Sequence, residues 1–139
     1  MTAKEYLSQA KTLDMRINSK IQQLASLNDL ALKATAVITG MPHSPNKGKS
    51  SMADTIDKII DLQAEINRDI DTLVDLKKEI METIKSVSGH EAQTVLEKRY
   101  LCFFSWEQIA VDMHYSIQYA YRIHDRALEE ISERLKQES

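Results

Sequence analysis

Scarcity defines this chain of 139 residues: it has one cysteine, two prolines, three glycines and eight aromatic residues. A single thiol, Cys102, cannot build an internal disulfide framework and fits a reducing compartment. Beside Phe103 and Phe104 it reads as a small buried hydrophobe. No base accompanies it, so a nucleophile is not expected. Both prolines and two of the three glycines fall in the stretch GMPHSPNKGKSS, which leaves the remainder almost without helix breakers. No apolar run is long enough to span a membrane, and the N-terminal MTAKEYLSQAK lacks the apolar core of a signal peptide. A cytoplasmic protein without membrane contact is expected. His114 and His124 have neither a CxxC pair nor neighbouring ligands, and no Asp/Glu/His/Ser constellation stands out from solvated helix faces. The expectation is therefore no enzyme, no metal and no cofactor.

Charge is present in abundance and is unevenly spread. The net charge is −3, yet residues 1–50 hold seven Lys/Arg against three Asp/Glu. Residues 51–87 hold five against nine, and residues 88–139 six against nine. A basic first segment and an acidic second one can pair lengthwise. Such pairing selects the correct partner more than it stabilises, because exposed ion pairs are each worth under about 1 kcal/mol.

Apolar spacing predicts two long helices. From Ala3 to Thr39 one face carries Ala10, Leu13, Ile17, Ile21, Leu24, Leu27, Ala31, Ala34 and Ile38, in steps of three and four. Gly40 ends it, and residues 40–52 are expected as a linker. A second helix, Ala53 to Val87, carries the heptad Ile56, Ile59, Gln63, Ile66, Ile70, Leu73, Lys77, Ile80, Ile84, Val87, with polar Gln63 and Lys77 fixing register. A helix of about 35 residues is roughly 52 Å long and needs the first as an antiparallel partner. Ile60, Val74 and Met81 on one flank, with Leu62 and Leu76 on the other, exceed what a two-stranded coil buries. Self-association follows, as a homodimer with a four-helix core, through Ile56, Ile59, Ile60, Ile66, Ile70, Leu73, Val74 and Ile80. The competing reading is that the C-terminal module covers this flank within one chain.

The last third changes character. Ser88-Gly89-His90-Glu91 reads as a break with a capping box, opening a third helix to about Leu101. Ser105 and Ser116 sit where N-caps would start two further helices, and Gln108 completes a capping box with Ser105. Trp106, Ile109, Ala110 and Met113 form one inward face, and Ala120, Ile123 and Ala127 the other. His114 falls where such turns favour glycine. Two helices joined by a turn of about 3–4 residues have helix-turn-helix geometry. The expected fold is thus all-α: a long antiparallel helical hairpin (coiled coil) over residues 1–87, followed by a helix-turn-helix module over residues 88–139.

The face left over on the final helix is Ile117, Gln118, Tyr121, Arg122 and Asp125, with Tyr119 and Arg126 at its margins. Gln can bond adenine bidentately, Arg guanine, and Ile can meet a thymine methyl. Ile117, Gln118, Tyr121 and Arg122 are therefore the candidate base readers on helix 116–135. Lys98, Arg99 and Arg126 are candidates for phosphate, which positions without reading sequence. The expected partner is double-stranded DNA. The module's net −3 runs against the usual basic charge of such domains, so binding through a dimer or a protein partner is expected.

The segment LEKRYLCFFSWEQIAVDMHYSIQYAYRIHDRALEEI resembles the region-four helix-turn-helix of sigma factors. It is more similar still to the small prophage-encoded proteins related to the ArpU/RinA late-transcription regulators of Gram-positive bacteria. The shared pattern is met by Arg99-Tyr100, Ser105-Trp106, Ile109-Ala110, Met113, Tyr115-Ser116, His124 and Ala127-Leu128. AKEYL and DKIIDLQAEINRDIDTLVDLKKEI resemble the same group. The resemblance implies phage transcriptional control in a bacterial host, with Ile117, Gln118 and Tyr121 at base-facing positions and Arg122 beside them. Two other readings share the expected fold: a small terminase-like packaging protein, and an adaptor whose helix-turn-helix contacts RNA polymerase rather than DNA.

Overall fold

The computed structural model describes residues 1–40 and 45–138, with side-chain detail for 1–36 and 52–138. It is all-helical, with no strand among the described residues. The order is α1 (Ala3–Gly40), α2 (Pro45–Lys85), α3 (His90–Leu96) running into a π turn (Glu97–Leu101), α4 (Trp106–Met113) and α5 (Ile117–Glu138). Among the described residues no helix is long and apolar enough to cross a membrane. The linker expected over 40–52 is shorter, because α2 begins at Pro45. Proline's fixed φ suits a first helical position, where its missing N–H is not needed. The expected linker residues 41–44 lie outside the described residues.

Contacts divide the chain into two compact units: residues 14–72, and residues 1–13 together with 73–139. Within the first, the arm, α1 and α2 run antiparallel. Ile17 and Ile66 are its buried residues. Lys20 is held in the seam, its Nζ 3.1 Å from Glu65 Oε1 and in contact with Asp69 Oδ2. Those two carboxylates raise the Lys20 pKa above its ordinary value.

In the arm the expected phase of α1 holds at every described position except Ile21, and that of α2 is corrected. On α1 the inward face passes through Lys20 and Leu24, while Ile21 is exposed; Ile38 lies outside the described side chains. On α2 it passes through Thr55, Ile59, Leu62, Ile66 and Asp69. Ile56, Gln63 and Ile70, expected in the seam, are exposed. One residue along an α-helix is a turn of about 100°, so the two strips lie side by side.

In the second unit, Leu7 and Ala10 of α1, Ile80 and Ile84 of α2, Leu96, Tyr100, Ala127 and Ile131 form one buried cluster. Val95, Ile109 and Ile123 form another, covered by Phe104, Trp106, Met113 and Tyr115. The adjacent residues Val95 and Leu96 point into different clusters, so α3 is packed on two sides. Burying a Leu or Ile side chain is worth about 1.5–3 kcal/mol, and these clusters hold the helices in place.

Four local expectations are corrected. Cys102 is exposed rather than buried. Lys77, expected to fix register between the two long helices, instead sets its Nζ 4.7 Å from the centre of the Phe103 ring. The start of α3 has no capping box: Gly89 is the N-cap at φ 91°, with no side-chain cap bond. Ser88 instead donates from its N–H and Oγ to the Glu130 carboxylate on α5, at 3.1 and 2.9 Å. Finally, the box at α4 runs one way. Ser105 Oγ accepts from the Gln108 N–H at 3.2 Å, but the Gln108 side chain turns forward to Asp112 Oδ1 at 2.7 Å.

Candidate nucleic-acid interface

The turn between α4 and α5 is built by His114. It closes α4 in the left-handed region at φ 59°, ψ 40°, and the Tyr115 N–H reaches back to the Ala110 carbonyl at 2.9 Å. That wide bond across a left-handed residue satisfies an orphan carbonyl and stops the helix. Two residues later Ser116 starts α5, its Oγ accepting from the Tyr119 N–H at 3.1 Å.

α5 then buries Ala120, Ile123, His124, Ala127 and Ile131. The opposite face carries Gln118, Arg122, Asp125 and Glu129, all exposed. Gln118, Arg122 and Arg126 have no protein partner among the described residues. Ile117 is half-buried. Tyr121 is 42% exposed, its ring tilted against Trp106 at 4.7 Å between centroids.

The three phosphate candidates are not equivalent. Lys98 lies 3.6 Å from Asp112 Oδ2 and over the Phe104 ring. Arg99 Nη1 donates to the Phe104 carbonyl at 3.0 Å, with its guanidinium 5.0 Å from the centre of Trp106. Both cations are thus already engaged in fastening the α3–α4 connection. That connection is a sharp one: Phe103 has φ 63°, and the Phe104 N–H reaches the Lys98 carbonyl.

Behind this face is a buried polar group that residue spacing did not reveal. His124 is only 5% exposed, with Nε2 2.6 Å from Tyr100 Oη and Nδ1 3.2 Å from Asp125 Oδ1. The arrangement that satisfies all three has the Tyr100 hydroxyl donating to Nε2 and the Nδ1–H donating to the carboxylate. Burial pushes the His124 pKa below its ordinary value and outweighs the opposing pull of Asp125. Burial also drives Tyr100 up to about 12. Both groups are neutral near pH 7.

The proposed oligomerisation residues divide. Ile66 and Ile80 are buried within the chain, and Ile59 and Leu73 are half-buried. Ile56, Ile60, Ile70 and Val74 are exposed, Val74 most of all at 59%.

The chain matches no family model, no curated protein and no solved structure.

Proposed function

We propose that this protein is a sequence-specific DNA-binding regulator of transcription, in which α4, the His114 turn and α5 act as a helix-turn-helix. The observation that carries the reading is the face of α5. Gln118 and Arg122 stand outward, one turn apart, without protein partners, while the opposite face of the same helix is held by two buried clusters. A rigid rod presenting amide and guanidinium groups suits base edges in a major groove. Phosphate contact beside the reading face falls to Arg126 first, since Lys98 is paired with Asp112 and Arg99 is turned inward with part of its guanidinium already used. The resemblance of the last third to prophage regulators supports a role in phage transcriptional control.

A single copy of this acidic chain is a weak DNA ligand, and the arm supplies the second copy. Ile21 and Leu32 on α1 and Ile56, Ile60 and Ile70 on α2 are exposed. On each helix they lie round from the seam in the same sense, by about 60° for Ile21 and Ile70 and by about 80–140° for Leu32, Ile56 and Ile60, counting about 100° per residue. In an antiparallel pair the same sense means the same side. The arm thus carries one apolar side made from both helices, as a four-helix core between two copies requires.

A genome-wide binding profile with a footprint on the recovered sites tests the reading. Gln118→Ala with Arg122→Ala is expected to lose at least tenfold in discrimination against scrambled duplex, since a bidentate base contact is worth about 1–3 kcal/mol. Unchanged footprints would reject this face as the reader. Binding to RNA polymerase with no DNA preference would favour the adaptor reading instead.

A further inference from the structure

The second unit contains a cavity of about 190 Å³ lined by Lys4, Ser8 and Lys11 of α1, Arg99 and Tyr100 of the π turn, Trp106 of α4, and Tyr121, His124 and Asp125 of α5. Its chemistry differs from that of the chain as a whole. The chain is net −3, but this lining brings three cations to one carboxylate, with His124 neutral. Lys4, Ser8 and Lys11 follow one another at steps of four and three, so two ammonium groups and a hydroxyl share one face of α1. Arg99 lies over the Trp106 ring and is anchored through one nitrogen to the Phe104 carbonyl, which holds the guanidinium in place and leaves other N–H groups to donate. The charges of Lys4 and Arg99 both bear on His124, pressing the imidazole towards its neutral form. Two aromatic rings, Trp106 and Tyr121, also line it.

We propose that this cavity is a phosphate site, in which Lys4, Lys11 and Arg99 hold the oxyanion and Ser8 donates to it. A tetrahedral phosphate, with oxygens pointing several ways, matches several separate donors better than a planar carboxylate does. A carboxylate is best bound by an Arg fork, and one arm of Arg99 is already used. The phosphate can come from a small phosphorylated molecule or from a duplex backbone. Only the second source rests on the DNA reading above, and it would add the first turns of α1 to the same interface as α5.

Trp106 is the chain's only tryptophan and lines the cavity, so its emission reports occupancy directly. The full chain is titrated with phenyl phosphate, inorganic phosphate and benzoate at matched ionic strength. It is compared with Lys4→Gln/Lys11→Gln and with a control pair in the arm, Lys33→Gln/Lys58→Gln. A saturable change with both phosphates, weaker by at least tenfold with benzoate and with the Lys4/Lys11 variant but kept in the control, establishes the small-molecule source. In parallel, the salt dependence of duplex binding is measured. A slope shallower by about two for Lys4→Gln/Lys11→Gln alone establishes the backbone source, because each neutralised phosphate contributes about one. Gln118→Ala/Arg122→Ala is expected to leave the phenyl phosphate response intact, so loss of the DNA reading leaves this test standing. No Trp106 response together with an unchanged slope overturns the proposal, as does an equal response to benzoate.

Discussion

Tyr100 Oη and His124 Nε2 lie 2.6 Å apart, joining the π turn to α5 through a buried hydrogen bond between two uncharged groups. Tyr100→Phe keeps the ring and its 5.7 Å stacking on His124 but removes the only donor to Nε2 among the described residues. Leaving a buried acceptor unsatisfied costs about 1–3 kcal/mol. An unfolding free energy in urea lowered by that amount is expected, and an unchanged one would show that the bond contributes nothing.

The same pair sets the response to pH. His124 has its pKa lowered on folding from 6.5, so the unfolded chain binds the proton more readily. Its contribution is fully present above 6.5 and is lost as pH falls. Tyr100 is raised from 10.0 to about 12, so its contribution is present below 10.0 and is lost as pH rises towards 12. Stability is expected to be flat between these limits. In His124→Gln the fall as pH drops below 6.5 should be shallower than in the parent chain. Parallel acid limbs for the two proteins would refute the assignment.

His114 at φ 59° bears a strain that glycine would not. A left-handed L-residue costs about 1–2 kcal/mol, partly offset because glycine is freer when unfolded. His114→Gly is expected to stabilise by about 1 kcal/mol, a rise of a few degrees in Tm. A lower Tm would show that the imidazole contributes to the turn.

Two neighbouring isoleucines should behave oppositely on α2. Ile66 is 6% exposed and Ile70 40%. Ile66→Asp puts a charge into the arm's own seam and should reduce helical content by circular dichroism. Ile70→Asp should keep the helix and lower the mass measured by light scattering to that of one chain. Loss of helicity in both, or an unchanged mass in the second, would rule out the apolar side of the arm as the contact between copies.

The helices themselves were legible in the sequence because their apolar steps and Ser105 and Ser116 caps are local signals. The phase of α2 was not. α2 carries two adjacent strips at heptad spacing, and Ile59 and Ile66 serve a seam drawn through Ile56 and Ile70 as well as one drawn through Leu62 and Asp69. Lys20 and Asp69 look like solvent positions alone and become seam residues only as a pair. The caps failed where a distant partner won: Ser88 is taken by Glu130, 42 residues away, which no local motif encodes. For the same reason spacing placed Gln118 and Arg122 on an open face but gave no sign of the cavity, whose walls come from both ends of the chain.

The antiparallel pairing in the arm leaves its length free to drift over evolutionary time. Deleting or duplicating seven residues in both α1 and α2 restores every inward position and shifts the tip by about 10 Å. α3 has no such latitude, since a single inserted residue would swing Val95 and Leu96 away from their separate neighbours at once. Kindred chains should therefore differ in reach while holding the span from His90 to Met113 constant.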